Sequence, residues 1–195
     1  FGADLAGKVL LLVGYGRIGR AVAARALAAR MRVRYVDTRA ASLALPGVIR
    51  IEGLDAALPL ADFVSLHVDL NAETRMLMCR KEFDLMKTTA FLVNTARGGV
   101  VDQSALTWAV TEGRIAGAGL DVLEDEPPLP DDPLLQDPNV IVVPHIGSAT
   151  TETRTAMAQC AVDNLLMVLR REGSPFVVAQ AENRGTSPFG QAPAG

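Results

Sequence analysis

Apolar positions in this chain follow two alternating rhythms. Short continuous runs of aliphatic residues recur, each closed by Gly, Asp, Asn or Pro, and between them apolar residues return every three to four positions. The first rhythm predicts strands and the second helices. Strands are expected at 8–13, 32–36, 48–51, 62–67, 90–94, 115–120 and 140–143. Helices are expected at 17–30, 54–58, 81–87, 102–112 and about 150–170. Ile18, Val22 and Ala26 share one face of the first helix, and Met157, Ala161, Leu165 and Leu169 share one face of the last. Arg32 and Arg34 alternate with Val33 and Tyr35, so one face of that strand is expected to meet solvent. Asp102 suits a helix N-cap and Gly113 a C-terminal cap. Strand–helix alternation of this kind implies an α/β fold: a doubly wound parallel sheet with helices on both faces.

Ligands of such sheets sit beyond the carboxyl ends of the strands. The residues with chemistry or special backbone fall at those ends: 14–16, Asp37, His67, 95–99, 121–128 and 144–147. The first predicted strand runs into Gly14-Tyr15-Gly16-Arg17-Ile18-Gly19, and a helical pattern follows at once. Asp37 closes the next strand, 18 positions after Gly19. In that order and context, Gly-x-Gly-x-x-Gly with a distal acid is the dinucleotide signature of a Rossmann-type sheet. Gly14 permits the turn out of the strand, Gly16 lets a pyrophosphate approach the backbone, and Gly19 lets the helix pack close. The helix start, with Arg17 and Ile18, offers N–H groups to phosphate. Asp37 accepts hydrogen bonds from ribose hydroxyls and repels a 2′-phosphate, which favours NAD over NADP. Arg39 tempers that preference.

Composition narrows the function classes. The chain has 195 residues, 49% hydrophobic, and a net charge of −3. There is no basic footprint for nucleic acid, no run long enough for a membrane span, and no signal-peptide pattern at 1–4. Cys79 and Cys160 are far apart in helix-like contexts and are expected reduced and buried, without a disulfide or metal site. Cytoplasm is the default location. Residues 185–195, rich in Gly, Pro, Ser and Ala, are expected to be a disordered tail.

Only two histidines are present, His67 and His145, and both follow apolar strands. Near neutral pH a general acid–base is most often His. Arg97 follows the fifth predicted strand, and the glycines after it are expected to open space for a ligand. Glu126 lies in the acidic run 124–126, which read alone is a solvated loop. Arg, His and a carboxylate suit reduction of an oxoacid. A guanidinium grips a carboxylate bidentately, and a carboxylate beside an imidazole favours the protonated ring. Position alone leaves His67 open between catalysis, cofactor lining and packing.

Taken together, these segments resemble the NAD-binding domain of the D-isomer-specific 2-hydroxyacid dehydrogenases. The similarity is carried by 13–19, 65–75, 83–102, 117–122, 125–127 and 143–150, and covers residues 5 to about 175. It implies Arg97 as the substrate-carboxylate arginine, His145 as the acid–base and Glu126 as its partner. It implies Asp121 as the receiver of the nicotinamide carboxamide. Thr95, Ala96, His67, Val68, Asp69 and Thr74 are implied to line the cofactor, with Arg97, His145 and Gly147 beside them. It also implies a homodimer, for which Trp108, Leu106 and the last helix offer apolar surface. The segment 144–150 looks most like glyoxylate and hydroxypyruvate reductases, while phosphoglycerate dehydrogenases remain open. Formate dehydrogenases carry Gln where Glu126 stands.

Asp69 departs from the family, in which many members have proline. Residues 1–172 are expected to form the dinucleotide-binding domain and 173–184 a return to a substrate domain, which is largely missing from the sequence. Two other readings stay open: an NAD-sensing, corepressor-like binding protein, since corepressors related to the family keep the same triad, and, from the missing domain, an NAD-binding fragment without turnover.

Overall fold

The computed structural model describes residues 4–38 and 44–172. Arg39, residues 173–184 and the tail 185–195 lie outside the described residues. The chain divides into two compact units, Phe1–Gly147 and Ser148–Gly195.

The first unit is built on seven parallel strands: β1 (Val9–Val13), β2 (Arg32–Val36), β3 (Ile49–Arg50), β4 (Phe63–Leu66), β5 (Phe91–Asn94), β6 (Gly117–Leu120) and β7 (Val140–Val142). Their order is β3-β2-β1-β4-β5-β6-β7. All seven predicted strands are present, trimmed by one to two residues at most ends. Helices α1 (Arg17–Ala28), α2 (Leu54–Ala57), α3 (Arg80–Leu85), α4 (Gln103–Thr111) and α5 (Pro133–Gln136) connect them. The four-residue α5 and a 3₁₀ turn at Gly98–Val100 were not anticipated; both are too short to show periodicity.

Strand alternation sorts the core onto the two faces. Leu10 and Leu12 of β1 pack with Val33, Tyr35, Ala23 and Ala26 on the α1 side. Leu11 and Val13 pack with Val64, Leu66, Leu92, Phe83 and Leu106 on the other. A strand buried on both faces reads as an unbroken apolar run, which is why β1 was so plain. The buried face of α1 is Gly19, Ala23 and Ala26, while Ile18 stands 65% exposed. Small residues let the helix sit close to the sheet, and Ile18 is turned out beside the glycine loop. Leu106 is buried core rather than dimer surface. Trp108 is flanked by the guanidinium groups of Arg80 and Arg114, 4.3 and 5.7 Å from its ring centre. Cys79 is only partly buried and Cys160 is exposed, against expectation, and both are free.

The second unit contains α6 (Thr151–Leu169), close to the expected helix, whose N-cap Thr150 accepts the Thr153 N–H. Met157, Leu165 and Leu169 on it are exposed. Among the described residues no helix is long and apolar enough to cross a membrane.

The start of α4 fixes the segment that carries much of the site. The Asp102 side chain accepts the Ser104 hydroxyl and the Ala105 N–H, and those bonds, in that order of strength, hold its carboxyl below the usual aspartate range. Asp102→Ala is expected to cost about 1 kcal/mol at pH 7. A depressed carboxyl stabilises the fold above its unfolded pKa and loses that contribution as pH falls through the folded value. The gap between wild type and variant in urea unfolding should therefore close below about pH 4.

Candidate functional site

One row of paired residues crosses the sheet: Val36, Val13, Leu66, Asn94, Leu120 and Val142. The loops that follow these residues therefore start at one height along one edge. Strand order reverses between β1 and β4, and crevices at such switch points are where doubly wound sheets bind ligands.

At that switch point Gly14 has φ +94°, and a Cβ on it would lie 2.6 Å from the His67 carbonyl oxygen. A Cβ on Gly19 would strike the Gly14 carbonyl, whereas one on Gly16 would meet nothing within 4 Å. Helix α1 starts with no side-chain cap and no acid in its first turn. Its first N–H groups and dipole thus face an open, glycine-floored space, which fits a diphosphate. Asp37 is tethered there, its carboxylate accepting the Tyr15 N–H at 2.7 Å and its carbonyl accepting from Arg50 at 3.2 Å. The Tyr15 ring stacks on Tyr35 with centres 4.2 Å apart. These residues fit a dinucleotide along 14–19 with its ribose toward Asp37.

Beyond β4, His67 is half-buried, and its Nε2 lies 3.0 Å from the Ser65 hydroxyl. Burial lowers its pKa, favouring the neutral ring. Val68 packs on the main core. Thr74 secures the loop: its hydroxyl donates to the Asp69 carbonyl and accepts the Asn71 N–H, while the Asn71 side chain accepts the N–H groups of Glu73 and Thr74.

Beyond β5, Asn94 is 1% exposed. Its Oδ1 accepts the Ala96 N–H and its Nδ2 donates to the Arg97 carbonyl, both at 3.0 Å. Thr95 and Arg97 are exposed at the edge, and the Arg97 guanidinium donates to the Ala96 carbonyl at 2.6 Å. Gly98 and Gly99 do not open ligand space. A Cβ on Gly98 would collide with the Leu123 backbone, and one on Gly99 would come 3.2 Å from the Leu70 side chain. The bareness of Gly98 lets the β5 loop lie directly on the β6 loop, and that of Gly99 lets it lie against Leu70 of the β4 loop.

Beyond β6, Asp121 is 6% exposed and spans to the last loop. Its two oxygens accept the Ile146 N–H at 2.6 Å and the Gly147 N–H at 2.8 Å. This holds His145 at φ +52°, a left-handed conformation that costs an L residue about 1–3 kcal/mol unless the surroundings fix it. In that pose His145 Nδ1 lies 2.9 Å from Glu126 Oε2. The Leu123 N–H donates to the other Glu126 oxygen at 3.3 Å. The hydrogen bond from His145 is the largest influence holding the Glu126 carboxyl below the usual glutamate range, and the nearby Asp121 charge works weakly against it. The side chains of His145 and Glu126 are 50% and 40% exposed. An ion pair so wet adds little stability, so its geometry calls for another explanation.

The edge therefore carries Arg97, Glu126 and His145 beyond the three neighbouring strands β5, β6 and β7, with the 67–74 loop beyond β4 and the glycine loop and Asp37 beyond β1 and β2. Asn94 and Tyr15 were missed as site-building residues, and Gly98 was singled out but for ligand space rather than for loop packing. An Asn closing an apolar strand was the one visible signal among them.

The sequence model of the D-isomer specific 2-hydroxyacid dehydrogenase NAD binding domain matches residues 1–147. The chain belongs to that family. A glyoxylate reductase of Korarchaeum cryptofilum is 48% identical over 180 residues, covering 92% of this chain and 54% of that protein. The chain thus spans about half the length of the curated relatives it matches. Among solved structures, a D-lactate dehydrogenase with NAD⁺ from Lactobacillus jensenii superposes with TM-score 0.84 at 32% identity, over 92% of this chain and 58% of that one. An NADPH-dependent glyoxylate/hydroxypyruvate reductase from Sinorhizobium meliloti, in complex with NADP and malonate, gives TM-score 0.84 at 34% identity, over 89% and 53%. These two neighbours thus include one complex with NAD⁺ and one with NADP.

Gly98→Ala should destabilise the first unit by about 2 kcal/mol, because a Cβ there would overlap the Leu123 backbone and force the two loops apart. Thermal unfolding checks this.

Proposed function

We propose that this chain is the cofactor-binding and acid–base half of a reductase that interconverts 2-oxoacids and D-2-hydroxyacids with NAD(H), glyoxylate and hydroxypyruvate being the favoured substrates. The observation that carries the proposal is the solvent-facing His145–Glu126 pair, held on the same strand edge as Arg97 and the glycine loop.

NADH would be held by 14–19, Asp37, the 67–74 loop, the 95–97 backbone, Asp121 and Gly147, and supplies the hydride. The chain's own residues do the rest. Arg97 grips the substrate carboxylate through paired N–H donors. Glu126 takes His145 Nδ1, fixing the ring and leaving Nε2 for the substrate. His145 Nε2 then gives a proton to the carbonyl oxygen as that carbon is reduced, and takes it back in the reverse direction. Glu126, with its depressed pKa, remains the anionic partner throughout the neutral range. Asp37 repels a 2′-phosphate, so NAD is preferred over NADP. The complete protein is read as a cytoplasmic homodimer acting on a small molecule.

In the complete protein, His145→Ala should lower kcat about 10²–10⁴-fold, and Arg97→Ala should raise KM for the oxoacid. Both should leave NADH affinity, measured by fluorescence titration, within about threefold of wild type. Unchanged turnover in both variants rejects the assignment. Gly16→Ala should behave oppositely. Open space around Gly16 keeps the fold intact, to within about 1 kcal/mol, while NADH binding to this chain is lost because a methyl occupies the diphosphate's floor. Calorimetry and thermal unfolding on one sample separate the two effects.

A further inference from the structure

Gln103, the first residue of α4, has no role in the scheme above, yet its side chain joins two distant segments. Its Oε1 accepts the Glu124 backbone N–H at 2.9 Å, and its Nε2 donates to Asp132 Oδ2 at 2.7 Å. Asp132 is itself fixed, its Oδ1 accepting the Leu134 N–H at 2.9 Å as the N-cap of α5. Gln103 is anchored in turn by the Asp102 cap and by the Thr107 hydroxyl, which donates to its carbonyl at 2.9 Å. Glu126 lies between the two segments that Gln103 clasps. The side chain also lines a small apolar cavity beneath the loops with Asn94, Gly98, Leu106, Val122 and Leu123. Asn94 is the other hydrogen-bonding side chain in that lining, and its amide is spent on Ala96 and Arg97.

We infer that Gln103 is a positioning residue for the Glu126–His145 pair: its amide clasps the segment from Glu124 to Asp132 and so sets where the Glu126 carboxylate stands. The inference rests on reading that pair as the acid–base couple, but its test does not require turnover. Glu126 gains its hydrogen bond to His145 only while the loop keeps its place. Removing the clasp lets the carboxylate drift into water, and its pKa climbs back toward the ordinary glutamate value.

The test is a carboxyl-carbon NMR titration of Glu126 in this chain, assigned through Glu126→Gln, with His145→Ala as the reference for a broken pair. Gln103→Ala should move the Glu126 midpoint upward, part of the way to the His145→Ala value, with thermal unfolding close to wild type. Gln103→Glu should do the same, because it sets a carboxylate against Asp132. Adding Asp132→Asn should restore the wild-type midpoint, since the pair again has one acceptor for Glu124 and one donor–acceptor bond between positions 103 and 132. A wild-type midpoint in Gln103→Ala overturns the inference. If that variant unfolds, equal midpoints in Gln103→Glu and the double variant overturn it instead. Failure of the reductase assignment would show in turnover and leave this titration unchanged.

Discussion

The carboxylate of Asp121 is the constraint on which the active edge depends. It leaves β6 buried and accepts two backbone N–H groups from the loop beyond β7. A buried charge is costly unless it is fully hydrogen-bonded, so the two amides and the carboxylate hold one another. Between β7 and those amides sits His145, whose left-handed backbone has nowhere else to go. Its ring is thereby delivered to Glu126, on the loop that Asp121 itself begins. One buried acid thus orders both members of the exposed pair. The family resemblance assigned Asp121 to the nicotinamide carboxamide, and a carboxylate oxygen has lone pairs for more than one donor. The contacts made within the chain add a second duty that the resemblance did not suggest.

The glycine loop works by the opposite logic. At Gly14 and Gly19 the missing Cβ atoms let backbones touch, and at Gly16 the missing Cβ leaves room. Three identical residues therefore carry two kinds of constraint, and only the open one is a place for a ligand. Gly98 belongs with the closed kind. The sequence reading placed ligand space at Gly98 and Gly99, but that space is filled by Leu123 and Leu70. Glycine in a loop announces that something comes close without saying whether it is a ligand or the protein itself.

This explains how much was legible beforehand. Strands were plain because burial on both faces writes continuous apolar runs, and the parallel order followed from their alternation with helices. His145 and Arg97 stood out because reactive side chains directly after strands point to the functional edge of such a sheet. Spacing put Ile18, Val22 and Ala26 on one helix face but did not say which face meets the sheet; the small residues Gly19, Ala23 and Ala26 decide that, and Ile18 is turned out. Leu106 was misread as surface for the same reason. Asn94 was passed over although it closes an apolar strand and its side chain bonds only to its own loop, whereas Gln103 was illegible because it acts through bonds between loops. Gln103 reaches residues 21 and 29 positions away, and no local pattern records such a contact.

The exposure of the pair sets the remaining physical problem. In bulk water two unit charges 4 Å apart attract by about 1 kcal/mol, against about 4 kcal/mol at the effective dielectric of a protein surface cleft. Arg97 lies exposed on this edge, so the grip on a carboxylate proposed for it would sit near the weaker figure until water is excluded. Binding of a dinucleotide would be less sensitive, because its diphosphate would meet backbone N–H groups and a helix end already fixed in place. On the proposed reaction the two halves make different demands on the fold. Holding a cofactor would need only a preformed edge, whereas orienting and protonating an oxoacid would need that edge to be covered. Cofactor affinity and turnover should separate accordingly as solvent gains or loses access to His145.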